Sequence, residues 1–133
     1  MFKERVLTTA DYSTLSKWWK DWGWEVPPKD FLPENGTGGI MIEKEGEPIC
    51  AGFIYFTNSK ICWSEFVISN MKASGKDRGL GVKKLLTAIN DIARNKGFKY
   101  VYTIVADGSL YNTYKKLGFM DGSKNMNELV LKL

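Results

Sequence analysis

The chain opens on a strand-like run, Phe2–Leu7, in which apolar residues bracket Lys3-Glu4-Arg5. The period then changes. Leu15, Trp18, Trp19 and Trp22 recur at helical spacing, and Gly23 ends the run. Before them, Thr8-Thr9-Ala10-Asp11 resembles a capping box with Asp in place of Glu. Residues 24–39 carry Pro27-Pro28, Pro33, Asn35-Gly36 and Gly38-Gly39 and read as a long irregular loop, of the kind that is often functional in a small domain. Three strands follow: Gly39–Lys44, Ile49–Thr57 and Ile61–Ser69, joined by turns at Glu45-Gly46-Glu47-Pro48 and Asn58-Ser59-Lys60. Val82, Leu85, Leu86, Ile89, Ile92 and Ala93 then share one helical face, closed by Lys96-Gly97. Lys99–Val105 reads as a strand, Ser109–Leu117 as a short helix and Glu128–Leu133 as a last strand.

The expected order is β-α-β-β-β-α-β-α-β, an α/β (α+β) chain with one mixed sheet. Its front half is an antiparallel meander. The strand–helix–strand from residue 61 to 105 predicts a parallel, right-handed crossover at the back. A length of 133 residues fits one domain, 1–133, with a core of its own. There is no repeat or low-complexity tract. No apolar stretch exceeds strand length, so no membrane partner is expected, and a cytoplasmic setting is.

Composition removes several chemistries. There is no histidine, which excludes a Ser-His-Asp triad, a Cys-His dyad and any His-ligated metal. Two cysteines cannot form a Cys-only zinc site. Cys50 and Cys62 lie in apolar runs and read as reduced core residues, and no metal is expected.

The net charge of +4 is uneven. Residues 1–70 are net −3, whereas residues 71–100 hold 8 basic and 2 acidic side chains, net +6. An anionic partner is therefore expected in that segment. Only Phe98 and Tyr100 accompany the basic residues there, which is poor material for stacking bases, so nucleic acid is not expected. The segment includes Ser74-Gly75-Lys76-Asp77-Arg78-Gly79-Leu80-Gly81-Val82, a Gly-rich turn before a helix. Such a turn offers free backbone N–H groups and the positive end of the helix dipole to a diphosphate. Glycines making a tight turn beside a solvated helix face account for the same residues. Neither the P-loop pattern nor the dinucleotide pattern G-x-G-x-x-G is present.

Lys76-Asp77-Arg78-Gly79-Leu80-Gly81 resembles the R/Q-x-x-G-x-G/A motif of the GCN5-related N-acetyltransferases (GNAT), with Lys at the first position. Asp107-x-x-Leu110-x-x-Thr113-Tyr114-Lys115-Lys116-Leu117-Gly118-Phe119 is similar to that family's N-x-x-A-x-x-L-Y-x-K-x-G-F signature. The two occur in the right order and the right elements, and the resemblance covers essentially the whole chain. Trp18–Gly36 and Phe66–Asn70 look most like a phage-associated branch.

The resemblance implies acetyl-CoA or another acyl-CoA as cofactor, and direct attack of an amine on the thioester. Its diphosphate would meet the backbone of Arg78, Gly79, Leu80, Gly81 and Val82, with Lys76 and Lys83 near by. Its pantetheine arm would lie in a V-shaped gap between the fourth and fifth strands, along Phe66, Val67 and Ile68. A second register of the motif begins at Arg78 and puts Gly81 at the central glycine and Lys83 at the last position. The register starting at Lys76 is preferred because both glycines then fit. Asp107 stands where the family has Asn, as a helix cap through Gly108-Ser109 or as an altered contact with the cofactor arm.

Tyr114 matches the tyrosine that the family places near the cofactor sulfur as an acid. The middle of an apolar stripe is its alternative reading. Glu65, the only carboxylate in Ile61–Ser69, is a candidate base, with Asp107 the second. Trp18, Trp19 and Trp22 read as core. Trp24, Phe31 and Glu25 lie where an acceptor would bind, and the aromatic wall and net negative charge suit a cationic small-molecule or peptide amine. A non-catalytic acyl-CoA-binding module is the alternative, and a homodimer through an exposed C-terminal strand is permitted.

Overall fold

The computed structural model describes residues 1–133. Its elements are β1 (Phe2–Val6), α1 (Asp11–Asp21), two 3-10 turns (Lys29–Phe31 and Pro33–Gly36), β2 (Gly39–Lys44), β3 (Glu47–Phe56), β4 (Ile61–Ser69), α2 (Gly75–Asn95), β5 (Tyr100–Tyr102) and α3 (Ser109–Lys116). The sheet runs in sequence order, β1 to β5. All pairings are antiparallel except β4–β5, which is parallel. The mixed sheet and its parallel back pair are as the sequence predicts.

The two sheet faces are covered by different helices. Leu15, Trp18 and Trp19 of α1 pack with Met41, Ala51, Phe53 and Ile68. Leu85, Ile89 and Ala93 of α2 pack with Ile40, Ile42, Cys50, Ile54 and Cys62 on the other side. The period-2 alternation of β2, β3 and β4 feeds both cores. Trp18 and Trp19 are core, as expected, and Trp22 packs half-buried against them. Cys50 and Cys62 are buried and unpaired, and burial pushes the Cys50 thiol up to about 12, so it is no thiolate at neutral pH. No helix is long and apolar enough to cross a membrane.

Three boundaries differ from expectation. β3 starts at Glu47 because Glu45 and Gly46, both at positive φ, make a two-residue hairpin turn. β5 stops at Tyr102 because the next backbone N–H, that of Ile104, and the Thr103 hydroxyl are taken by the Glu65 side chain and the Ser64 carbonyl. The expected last strand, Glu128–Leu133, is absent: residues 117–133 form neither helix nor strand, and Leu129, Leu131 and Leu133 are exposed. Alternation alone does not make a strand, which also needs a ladder partner. The outer edge of the three-residue β5 carries none.

Candidate active site

β4 is the strand on which the site is built. It pairs with β5 only over Ile61–Trp63, so its outer edge is open from Ser64 onward. On its inner edge Ala51 pairs with Ile68 and Phe53 with Glu65, which leaves Phe66 and Val67 together opposite Gly52. This is a β-bulge. Phe66 sits at φ 55°, a left-handed conformation disfavoured for a residue with a Cβ. Two rings hold it there: Phe31 edge-on at 5.9 Å and Tyr55 at 6.4 Å. The Tyr55 hydroxyl in turn donates to the Phe31 carbonyl at 2.9 Å, tying the long loop to β3.

Where β4 and β5 part, a cleft of about 460 Å³ opens. Trp19, Trp24, Glu65, Phe66 and Val67 line one wall, and residues 103–110 with Tyr114 line the other. The strand's alternation sorts the chemistry. Ser64 lies opposite Ile54 and faces α2; Glu65 lies opposite Phe53 and faces α1.

Tyr114, on α3, is 2% exposed, and its hydroxyl is 3.0 Å from Ser64 Oγ and 3.5 Å from Thr103 Oγ1. Burial raises its pKa above the ordinary phenol value. The bonds to Ser64 and Thr103 oppose that shift, and the Glu65 charge adds to it. Glu65 Oε1 accepts from the Ile104 N–H at 2.7 Å and lies 3.1 Å from Thr103 Oγ1. Burial raises the Glu65 carboxyl as well, with Glu128 adding and the two hydrogen bonds opposing. Its Oε2 has no protein partner and is not sealed from solvent. A buried phenol and a half-buried carboxyl thus meet one cleft from opposite sides of the sheet.

No protein-family model matches the chain, and no curated protein matches it in sequence. Solved structures match its fold. An acetyltransferase from Trypanosoma brucei superposes over 98% of this chain and 100% of its own, with TM-score 0.68 and 21% identity. The ribosomal-protein-S18-alanine N-acetyltransferase from Escherichia coli covers 92% of this chain and 80% of its own, at 0.75 and 16%. N-acetylglutamate synthase from Neisseria gonorrhoeae, complexed with coenzyme A and L-arginine, covers 96% of this chain and 29% of its own, also at 0.75 and 16%. The chain has the GNAT fold.

Within this GNAT fold the glycine-rich segment differs from the loop expected before a helix. α2 begins at Gly75, because Ser74 caps it by accepting the Asp77 N–H at 3.1 Å. The Arg78 N–H already bonds the Ser74 carbonyl at 2.9 Å. The amides of Gly79, Leu80, Gly81 and Val82 lie inside the helix, where amides serve the preceding turn. The first-turn donors left over are the N–H groups of Gly75 and Lys76.

The two glycines of the motif have different reasons to be there. A Cβ at Gly81 would lie 2.9 Å from Ile49 and 3.2 Å from the Cys50 sulfur, so this glycine lets α2 approach β3. Gly79 faces open space.

The positive charge is also not gathered at the helix start. α2 spans about 30 Å. Arg78 is folded back onto the carbonyls of Met71 and Ala73 and over the Trp22 ring. Lys83 and Lys84 lie beside Glu4 and Asp91 in a separate depression, away from the cleft. Lys76 is exposed at the first turn.

Of the other expected site residues, Phe66 and Val67 line the cleft, but the Ile68 side chain is buried in the core under α1. The bulge accounts for this by shifting the alternation after Glu65. Asp107 is at the cleft rim. It does not cap α3, whose N-cap is Gly108 without a side-chain bond. Trp24 lines the cleft, 55% exposed and stacked on Trp22 at 6.1 Å. Phe31 acts on the cleft through Phe66 rather than lining it. Glu25 is exposed, makes no hydrogen bond and lies outside the cleft, since Trp24 turns back onto Trp22 and leaves it on the solvent side. Ser64 and Thr103 were not singled out by sequence. Their signal is a small hydroxyl residue inside a mostly apolar strand run, Ile61–Ile68 and Tyr100–Val105.

Proposed function

We propose that residues 1–133 form one N-acetyltransferase domain that moves an acetyl group from acetyl-CoA to a primary amine by direct attack. The observation that carries this reading is the cleft at the parting of β4 and β5, which brings Glu65 and Tyr114 to one space from opposite sheet faces. The GNAT fold supports it, and so does the coenzyme A bound by the Neisseria synthase of like fold. The residues present suit an acyl-CoA. The β4 edge beyond Trp63 is unpaired and offers backbone groups to an extended amide-bearing arm. The first turn of α2, with the amides of Gly75 and Lys76, suits a diphosphate.

Acetyl-CoA supplies the activated acyl group and a thiolate leaving group. The chain's residues supply the rest. Glu65 Oε2 accepts a proton from the incoming amine, and a raised carboxyl pKa suits a base working near neutral pH. Tyr114 donates to the departing sulfur. Trp24 faces the amine and, with Glu65, favours a cationic acceptor. Asp107, at the rim, is the second carboxylate in reach of the acceptor's entry.

Calorimetry with acetyl-CoA, followed by coenzyme A release over a panel of small amines and basic peptides, tests the reading. Saturable binding with turnover on at least one amine is expected. No binding at millimolar acetyl-CoA overturns it. Binding without turnover on any amine assigns a non-catalytic acyl-CoA-binding module instead.

A further inference from the structure

Thr103 lies just past the end of β5. Its hydroxyl oxygen is 2.6 Å from the Ser64 carbonyl, 3.1 Å from Glu65 Oε1 and 3.5 Å from the Tyr114 hydroxyl. A threonine needed only to close the strand end would be satisfied by the carbonyl. Here the hydroxyl also stands between two of the three titratable side chains that line the cleft. A hydroxyl has one hydrogen and two lone pairs, so it accepts from one neighbour while donating to another. The Ile104 N–H fixes Glu65 Oε1 on the Thr103 side and leaves Oε2 for the cleft. Ser64 Oγ, at 3.0 Å, holds the Tyr114 hydroxyl in line.

We propose that Thr103 is a proton relay that returns to Tyr114 the proton collected by Glu65, so that both groups are reset after each acetyl transfer. This rests on the acetyltransferase reading above. The protons balance as follows. An ammonium acceptor gives one proton to solvent. Its nitrogen forms the C–N bond to the acyl carbon and gives a second proton to Glu65 Oε2. The C–S bond breaks, and the sulfur takes the Tyr114 proton. That leaves a protonated Glu65 and a Tyr114 phenolate. A half-turn of the carboxyl group exchanges its two oxygens at the Ile104 N–H and brings the proton to the Thr103 side. Thr103 accepts it while its own hydrogen swings from the Ser64 carbonyl to the phenolate. Overall, ammonium and thioester become amide, thiol and one released proton.

The groups facing this chain of bonds are few. Glu65 is faced by Glu128 from the C-terminal segment, Tyr55 from β3 and Tyr114 from α3. Tyr114 is faced by Ser64, Thr103, Glu65 and the Phe119 ring.

The test is a pH titration of the protein labelled at the tyrosine ζ-carbons, with the Tyr114 signal assigned by Tyr114→Phe. In the wild type the Tyr114 resonance is expected to step at the pH where Glu65 titrates, and Glu65→Gln removes the step. Thr103→Val, which keeps the shape and loses the hydroxyl, is expected to remove most of the step, whereas Thr103→Ser keeps it. In turnover, Thr103→Val is expected to lower kcat about 10-fold with acetyl-CoA affinity unchanged, and Thr103→Ser restores it. A step that persists at full size in Thr103→Val overturns the relay whether or not the protein turns over. A wild type that binds no acetyl-CoA overturns the acetyltransferase reading, while the titration still decides the Glu65–Thr103–Tyr114 link.

Discussion

Ser64 and Glu65 are adjacent in the chain and belong to opposite halves of the molecule. Ser64 points toward α2 and α3, where it meets the buried phenol of Tyr114. Glu65 points toward α1 and the long loop, where one carboxyl oxygen stays open to a cleft that also exposes Trp24. The Tyr114 side is buried; the Glu65 side is open on one edge and walled by aromatic rings. A single strand therefore acts as a partition. In the mechanism proposed above, its pleat separates the phenol that would give a proton to the leaving sulfur from the carboxylate that would take one from the arriving amine. Thr103 leaves one guarded connection between them.

Breaking the buried side should cost the most. Tyr114→Phe removes the phenol proposed to protonate the leaving sulfur, and turnover is expected to fall about 100- to 1,000-fold. The ring stays packed on Phe119 at 4.7 Å, so acetyl-CoA affinity measured by calorimetry should change little. Stability should drop by about 1 kcal/mol, because Ser64 Oγ loses its partner in a buried position. A large loss of affinity would instead make Tyr114 a packing residue.

Glu65→Gln tests the open side and should cost less, about 10- to 100-fold, since water and Asp107 also reach the acceptor. Its pH signature is directional. The ionised carboxylate is the active base, so wild-type activity should rise with pH through the raised Glu65 pKa. That acidic limb should vanish in Glu65→Gln. The stability effect has the opposite sign. A carboxyl whose pKa is raised by folding stabilises most when protonated, and that stabilisation is lost as pH rises through the folded pKa. The variant should therefore melt no lower than wild type at pH 8, as thermal denaturation will show. A lower melting temperature there would mean that the carboxylate serves the fold.

Much of this partition was legible before any coordinates. The order of elements, the antiparallel front, the parallel β4–β5 pair and the tryptophan core all follow from periodicity, because each face is buried against a helix. The two motifs led to Tyr114 and to the start of α2. What stayed hidden has local causes. The bulge at Phe66-Val67 is set by its partner Gly52 and by rings that arrive from Phe31 and Tyr55, far away in sequence. The start of α2 rests on the cap Ser74-x-x-Asp77, a pattern that Thr8-x-x-Asp11 shares, and the apolar stripe begins only at Val82. There only half a box forms, with Asp11 accepting the Thr8 N–H at 2.7 Å and pairing with Arg5. Charge counting found the positive segment but not its direction: a helix disperses its lysines around an axis, and Lys83 ended beside Glu4. The last strand failed for want of a partner edge, which no pattern within it can reveal.

The smallest effect sharpens the open side alone. Trp24 touches neither proton donor nor proton acceptor, yet its ring lines the cleft that Glu65 serves. It is held by stacking on Trp22, whose indole N–H donates to the Ser69 carbonyl at 2.8 Å, so the wall is anchored to β4. A cation over such a ring gains about 1 kcal/mol where the ring is half exposed. Trp24→Ala should therefore raise the acceptor KM about 5-fold for a cationic amine and leave kcat and acetyl-CoA affinity nearly unchanged. Trp24→Phe should recover part of the loss, since the face of a smaller ring still attracts a cation. The decisive contrast is a pair of acceptors of equal length, one carrying a second positive charge and one neutral at that position. If Trp24→Ala penalises both equally, the ring contributes only apolar contact and the acceptor need not be a cation. If the charged acceptor alone suffers, the aromatic wall selects for charge. The two sides of β4 would then divide recognition from proton donation as cleanly as they divide base from acid.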